Sequence, residues 1–157
     1  MRIAVVSHAL VQVSSRARWR VLAARDSVDV TLLVPDLLRN RWFGQLTQWV
    51  ADPVQEDGYH VIPVPVTNHE NWGRYLIRSV DAGLRRLNPD VVICYSDEFS
   101  LVLHQLLVYR RLWAPRARVG YFSWQNLTIL GGRRRLLKRL LWRHTLAATD
   151  FAIAGND

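Results

Sequence analysis

The sequence predicts an α/β fold, a doubly wound parallel sheet of the Rossmann-like kind with helices on both faces. Three observations predict it. Short apolar, β-branched runs alternate in regular order with longer amphipathic ones, as in successive βαβ units. The strand-like runs are apolar almost throughout, which is the pattern of strands covered on both sides. The chain has 157 residues, half of them hydrophobic, enough for one packed core.

The elements follow in order. The run "RIAVVS" (2 to 7) is the first strand, and a helix near 15 to 25 follows it, with Ser14 and Ser15 as candidate N-caps. "VDVTLLV" (28 to 34) is the second strand and "YHVIPVPV" (59 to 66) the third. Pro63 and Pro65 remove donors from the same lateral side of that third strand, which is tolerable where that side is a free edge. An outermost third strand gives the order 3-2-1-4-5-6. A helix over 70 to 87 is stopped by Pro89, and "DVVICYS" (90 to 96) is the fourth strand. A helix over 98 to 113, the strand "RVGYFSW" (118 to 124), a helix over 133 to 147 and the strand "DFAIAGN" (150 to 156) complete the pattern. The helices after strands 4 and 5 should lie side by side on one face. Because the last strand has no element to cover it, the 157 residues are expected to be a piece of a longer protein.

Charge is concentrated. The net charge is +8, and between Phe99 and Thr149 there are ten cations and no acid, while the rest of the chain carries eleven cations and thirteen acids. An anionic partner would therefore meet that third of the chain. Twenty of the twenty-one basic residues are Arg, a bias that GC-rich coding also produces. The single cysteine, Cys94, excludes an internal disulfide, fits a reducing cytosol and reads as a small buried hydrophobe within "VVICY". No apolar run approaches the ~20 residues of a membrane span. Ser7 and His8 break the only N-terminal apolar run, so a signal peptide is not expected.

Ligands of open α/β sheets bind beyond the carboxyl ends of the strands. The loops there are "SHALVQVSSR", "SDEFS" and "WQNLTILGG". The first contains no glycine, which disfavours a dinucleotide or P-loop nucleotide site. In it, His8, Ser14 and Arg16 are candidate substrate-binding residues; the alternative for His8 is a loop histidine bonded to backbone. Asp97 and Glu98 either bind substrate hydroxyls or sit at a helix N-terminus, where the dipole favours carboxylates. There is no C-x-x-C, no H-E-x-x-H and no nucleophile elbow, so neither a metal nor hydrolase chemistry is expected. In "LGGRRRLLKRLLWRH", Leu136, Leu137, Leu140 and Leu141 make one apolar face, with Arg134, Arg135, Lys138, Arg139 and Trp142 mostly away from it. Arg133, Arg134 and Arg135 at the helix start oppose the macrodipole at ~0.3 to 1 kcal/mol each, a cost that an anionic membrane or a phosphorylated substrate offsets. The alternative is a solvated basic face over leucines that cover the sheet.

Together, "MRIAVVSHALV", "VDVTLLVP", "LNPDVVICYSDEFS", "RVGYFSWQNL" and "ATDFAIAGND" resemble, in that order and spacing, the N-terminal domain of GT-B glycosyltransferases, the retaining family 4 group. The resemblance covers the whole chain. It implies an acceptor-binding, Rossmann-like half of a bacterial-type cytoplasmic enzyme, peripheral on the inner face of the plasma membrane. A donor-binding domain for the nucleotide sugar would follow Asp157, and residues 1 to 157 alone would be inactive. The reaction implied is metal-free sugar transfer, with retention, to an envelope or lipid-linked glycan. The sequence departs from the family twice. The loop after the first strand lacks the usual glycines, and Gln125 and Asn126 stand where the family typically carries a His-Asp pair. Both amides keep hydrogen-bonding capacity and lose titratable charge, so Gln125 and Asn126 are the candidate catalytic positions.

The competing expectation is a non-catalytic Rossmann-like module that holds an anionic partner, nucleic acid or membrane, through residues 110 to 143. Trp113, Trp124 and Trp142 would supply stacking surfaces. No nucleic-acid motif accompanies them, so nucleic acid is not the expected partner.

Overall fold

In a computed structural model of the chain, the described residues are 1–42, 45–51, 53–56, 58–71, 74–96, 98–123 and 135–154. The strands among them are β1 (Arg2–Val6), β2 (Asp29–Pro35), β3 (Leu37–Trp42), β4 (Gln45–Val50), β5 (Val54–Glu56), β6 (Tyr59–Val64), β7 (Val66–Thr67), β8 (Leu76–Ile77), β9 (Val91–Cys94), β10 (Arg118–Ser123) and β11 (Phe151–Ala154). The helices are α1 (Ala17–Ala23), α2 (Val80–Leu87), α3 (Leu101–Trp113) and α4 (Arg135–Ala148). The expected ends at 124 and at 155 and 156, with helix residues 133 and 134, lie outside the described residues.

The main sheet runs β11-β10-β9-β1-β2-β6-β5, parallel in its first six strands and antiparallel at β5. Those six parallel strands stand in the order 3-2-1-4-5-6 of a doubly wound sheet. The edge differs from expectation, because β5 lies outside β6 and pairs its first half, from Glu56↔Tyr59 to Val54↔Val61. The prolines lie beyond that pairing. The Val64 carbonyl accepts from Asp36 on the β2 side, so Pro63 and Pro65 have their missing donors on the opposite, outer side. A covered edge and two edge prolines are compatible because the covering strand stops first.

Alternation along the strands divides the core in two. Ala4, Val6, Leu33, Val92, Cys94, Val119 and Tyr121 pack with Leu84 of α2 and with Val102, Leu103 and Leu106 of α3. Ile3, Val5, Val30, Leu32, Ile93, Tyr95 and Phe122 pack on the other side with Leu10, Val11 and Trp19. Each fully buried Leu or Val contributes roughly 1.5–3 kcal/mol relative to exposure. Cys94 is wholly buried, as a small hydrophobe in this position should be.

Three local expectations fail for physical reasons. Ser14 and Ser15 do not cap α1, because a 3-10 turn over Val13–Arg16 absorbs them and Arg16 becomes the N-cap. The helix expected over 70 to 87 exists only as Val80–Leu87. Ahead of it, Asn68 takes a left-handed conformation and β7 pairs with β8, while the Gln105 side chain bonds both the N–H (3.0 Å) and the C=O (2.7 Å) of Ile77. Its C-terminus ends as expected, with Asn88 left-handed before Pro89. A groove of about 490 Å³ beside the C-terminal Leu87 of α2 is lined by Thr31 and His60 among others. Third, α4 packs through another side than its leucine pattern implies. Thr145 is buried and donates to the Glu98 carbonyl (2.9 Å), and Leu141 and Ala148 flank it. Leu136 and Leu140 are turned outward, 72% and 55% exposed. Trp142 is half-buried instead of lying with the exposed arginines.

Candidate functional site at the carboxyl ends of the central strands

Strand order reverses between β1 and β9, so the chain leaves these neighbours towards opposite edges and a crevice opens beyond their carboxyl ends. Val6 and Cys94 are register partners, which brings the loops starting at Ser7 and Tyr95 alongside each other. Ser7 joins them. Its hydroxyl donates to the Tyr95 carbonyl at 2.7 Å and accepts from the Ala9 N–H at 3.0 Å. Its own N–H reaches back to Leu33 at the end of β2.

His8 follows, at the start of a 3-10 turn over Ala9–Val11. Its ring stands edge-on to Tyr75, centroids 6.0 Å apart and planes at 75°. Desolvation by burial lowers the His8 pKa from 6.5 to about 4, so the imidazole is neutral at pH 7 and has both a donor and an acceptor nitrogen. Burial likewise raises the Tyr75 phenol well above its usual range, with Cys94 adding to the shift, so the wall behind His8 is uncharged.

On the β9 side, Tyr95 is buried between Trp19 and Phe122. The Arg18 guanidinium lies 5.1 Å and 5.2 Å from the Tyr95 and Phe122 ring centroids. Glu98 does not cap the following helix, since Ser100 occupies the N-cap of α3. Instead its carboxylate accepts from the Ser123 hydroxyl (3.1 Å) at the end of β10, and its backbone carbonyl accepts from Thr145. Burial first, and then the Glu98 charge, raise the pKa of Tyr121. Glu98 thus ties the loop after β9 to the end of β10 through its carboxylate and to α4 through its backbone carbonyl.

The structure places the sequence candidates unequally. His8 and Glu98 stand on the two sides of the crevice. Arg16 is 3% exposed beneath the first loop, where its guanidinium donates to the carbonyls of Leu10 (2.8 Å) and Val11 (3.4 Å) and so braces that loop. Ser14 is exposed in the second 3-10 turn. Asp97, Gln125, Asn126, Arg133 and Arg134 lie outside the described residues. Arg135 and Lys138 fall on α4, and Arg139 is exposed there. Among the described residues, no three His, Cys, Asp or Glu side chains are grouped to hold a metal ion. Sequence reasoning missed Ser7, Tyr75, Tyr95 and Ser123. Ser7 and Ser123 were legible as polar residues ending apolar strands, whereas Tyr75 lay hidden in the expected long helix.

The His8 shift has a thermodynamic consequence. An unfolded chain takes up this proton near 6.5 and the folded one near 4, so stability falls as pH drops through that window. Desolvation also lowers the His104 pKa, with the same sign. His8→Gln should make urea-derived stability less steep in pH between those limits; an unchanged slope would contradict a buried neutral imidazole.

In comparisons with known proteins, no family model and no curated protein matches the chain, so the reading of the crevice rests on its own residues.

Proposed function

We propose that the chain is the acceptor-side domain of a retaining GT-B glycosyltransferase of the family 4 type, acting on an envelope or lipid-linked glycan. One observation carries the reading. At the switch point of a doubly wound sheet, the strand ends and the loops that follow them carry hydroxyl, neutral imidazole and carboxylate groups, and the loop after β1 has no glycine-rich phosphate cradle. Such groups suit sugar hydroxyls, which need paired donors and acceptors rather than a strong charge.

In this reading His8 orients one acceptor hydroxyl through its neutral ring, and Glu98, steadied by Ser123, accepts from another. Arg16 keeps the loop that carries His8 in place. Gln125 and Asn126 supply uncharged hydrogen bonds to the transferred sugar. The diphosphate leaving group belongs to a donor domain beyond Asp157, and catalysis rests on positioning and on stabilising that leaving group. The nucleotide sugar is a substrate, and no metal is required.

The test is sugar transfer by the protein read through past Asp157, supplied with nucleotide sugars and envelope membranes. Product with retained anomeric configuration is expected, and His8→Ala or Gln125→Ala should lower turnover by about tenfold or more. A reading frame without a second Rossmann-like domain, or turnover unchanged in both variants, would overturn the proposal.

The same reading includes an anionic membrane surface, favoured by the outward side of α3 and α4. Leu136, Leu140 and Leu146 are exposed among Arg139 and Arg143, and the neighbouring α3 exposes Leu101, Val108, Leu112 and Trp113 beside Arg111. His104 and His144 stack at the seam, centroids 5.7 Å apart. Arg110 is held by Asp150 (2.9 Å) and does not belong to this surface. Among the described residues no helix is long and apolar enough to cross a membrane, so contact would be peripheral. Each basic residue near an anionic bilayer contributes about 1 kcal/mol, so Arg139→Gln with Arg143→Gln should cut partitioning about tenfold or more. The chain should float with anionic vesicles and not with neutral ones; equal, negligible flotation with both would reject this contact.

A further inference from the structure

Arginine stays charged throughout the pH range in which proteins fold, so a face charged by arginine alone attracts an anionic surface equally at pH 8 and pH 6. The outward side of α3 and α4 carries more than arginine. His104 of α3 and His144 of α4 stack across the seam between the two helices, ring centroids 5.7 Å apart and planes inclined at 23°. Residues three, four or seven apart share a side of a helix. Leu101, Val108 and Arg111 therefore lie on the same side of α3 as His104, and Leu140 and Ala147 on the same side of α4 as His144. All five are exposed. The pair thus stands within the basic, partly apolar surface, flanked by it on both helices.

The two rings differ in setting. His144 is exposed, whereas His104 is half-buried and its Nε2 is shut off from solvent with no hydrogen-bond partner among the described residues. Desolvation, and then the charge of His144, lower the His104 pKa. A first proton therefore goes to the exposed ring, and a second is resisted. The charged groups around the pair are Arg111 on α3, then Arg135, Lys138, Arg139 and Arg143 on α4, and Glu98 on the loop that precedes α3. The Glu98 carboxylate accepts from Ser123, and Arg110 is held by Asp150. Residues 99 to 149 contain no acid, so a protonated imidazole adds to the positive charge of the face instead of cancelling a neighbour's.

An anionic bilayer concentrates protons as well as arginines. A surface potential of about −30 mV lowers the local pH by about half a unit. Imidazoles as a class change charge between pH 5 and 8, the range in which such a shift acts. We propose that the stacked pair His104 and His144 is a proton-operated contact of the α3 and α4 face, which tightens its hold on an anionic lipid surface as pH falls from 8 to 6. This rests on the membrane contact proposed above and adds its regulation. Proton uptake and lipid binding favour each other by linkage: acid adds a cation to the face, and the bilayer in turn stabilises the protonated pair.

The test is partitioning of the chain onto phosphatidylglycerol vesicles at pH 8 and pH 6 and constant ionic strength, with phosphatidylcholine vesicles as the uncharged control. Binding to the anionic vesicles should rise about fivefold on acidification, the effect of one added charge near the surface. His104→Gln with His144→Gln should hold the two pH values within about twofold of each other, although His8, His60 and His69 remain. His144→Lys, which fixes a charge at the exposed position, should bind at pH 8 as tightly as the unaltered chain does at pH 6. An unchanged thermal midpoint in each variant separates a lost charge from a lost fold. Anionic binding equal at both pH values would overturn the inference and leave the membrane contact standing, as would a rise that survives in the double variant. A rise of the same size on uncharged vesicles would overturn it too. Absence of binding at both pH values would remove the membrane contact and the inference with it, and leave the glycosyltransferase reading of the crevice standing.

Discussion

The architecture depends on one constraint, the right-handedness of parallel crossovers. Starting from the centre, the chain moves from β1 to β2 towards one edge and from β9 through β10 to β11 towards the other. Equal handedness in opposite directions sends α1 to one face and α3 to the other, and the loops after β1 and β9 must part. The crevice is the result. The Ser7 hydroxyl bridges the loops that part. His8 is placed by the turn that Ser7 begins, and the carbonyl that Ser7 holds belongs to the residue that starts the loop carrying Glu98.

Besides the Glu98 carboxylate and the Arg18 guanidinium, the groups described around this crevice are uncharged. His8 is neutral by burial, Tyr75 is neutral behind it, and the buried guanidinium of Arg16 is turned to backbone carbonyls. The exposed arginines of α3 and α4 stand instead among exposed leucines on the outer face. A crevice of mainly uncharged polar groups and a basic, partly apolar flank are separate physical environments. The first suits hydroxyl-rich ligands, and the second suits a negatively charged surface.

Much of the fold was legible. Continuous apolar runs gave β1, β2 and β9 to within two residues, because strands buried on both faces have no polar alternation to confuse them. Pro63 and Pro65 marked the outer side of the last parallel strand, but the sheet edge itself is β5, which covers the first half of that strand. What could not be read depended on contacts between distant residues. The turn at Asn68 and the grip of Gln105 on Ile77, 28 positions apart, set a small hairpin ahead of α2 and left the expected helix only as Val80–Leu87. The paired strands β3 and β4 went unread because they mix amides, arginines and indoles, although "LLRNRW" and "QLTQWV" around a Gly-containing pair form a hairpin pattern. In the site, His8 and Glu98 were visible from their strand-end positions. Tyr95 and Ser123 act through geometry that only the sheet register creates, and the partners of Glu98 overturned its reading as a helix cap.

The measurement closest to the central claim is the stability and backbone spectrum of Ser7→Ala. The substitution strips the hydrogen bond from the Tyr95 carbonyl and from the Ala9 N–H in a buried setting. The account predicts a loss of about 1–3 kcal/mol, with amide shifts concentrated in residues 7 to 11 and 95 to 100. A loss below about 0.5 kcal/mol, with both loops unshifted, would contradict it and show that the crevice does not depend on this bridge.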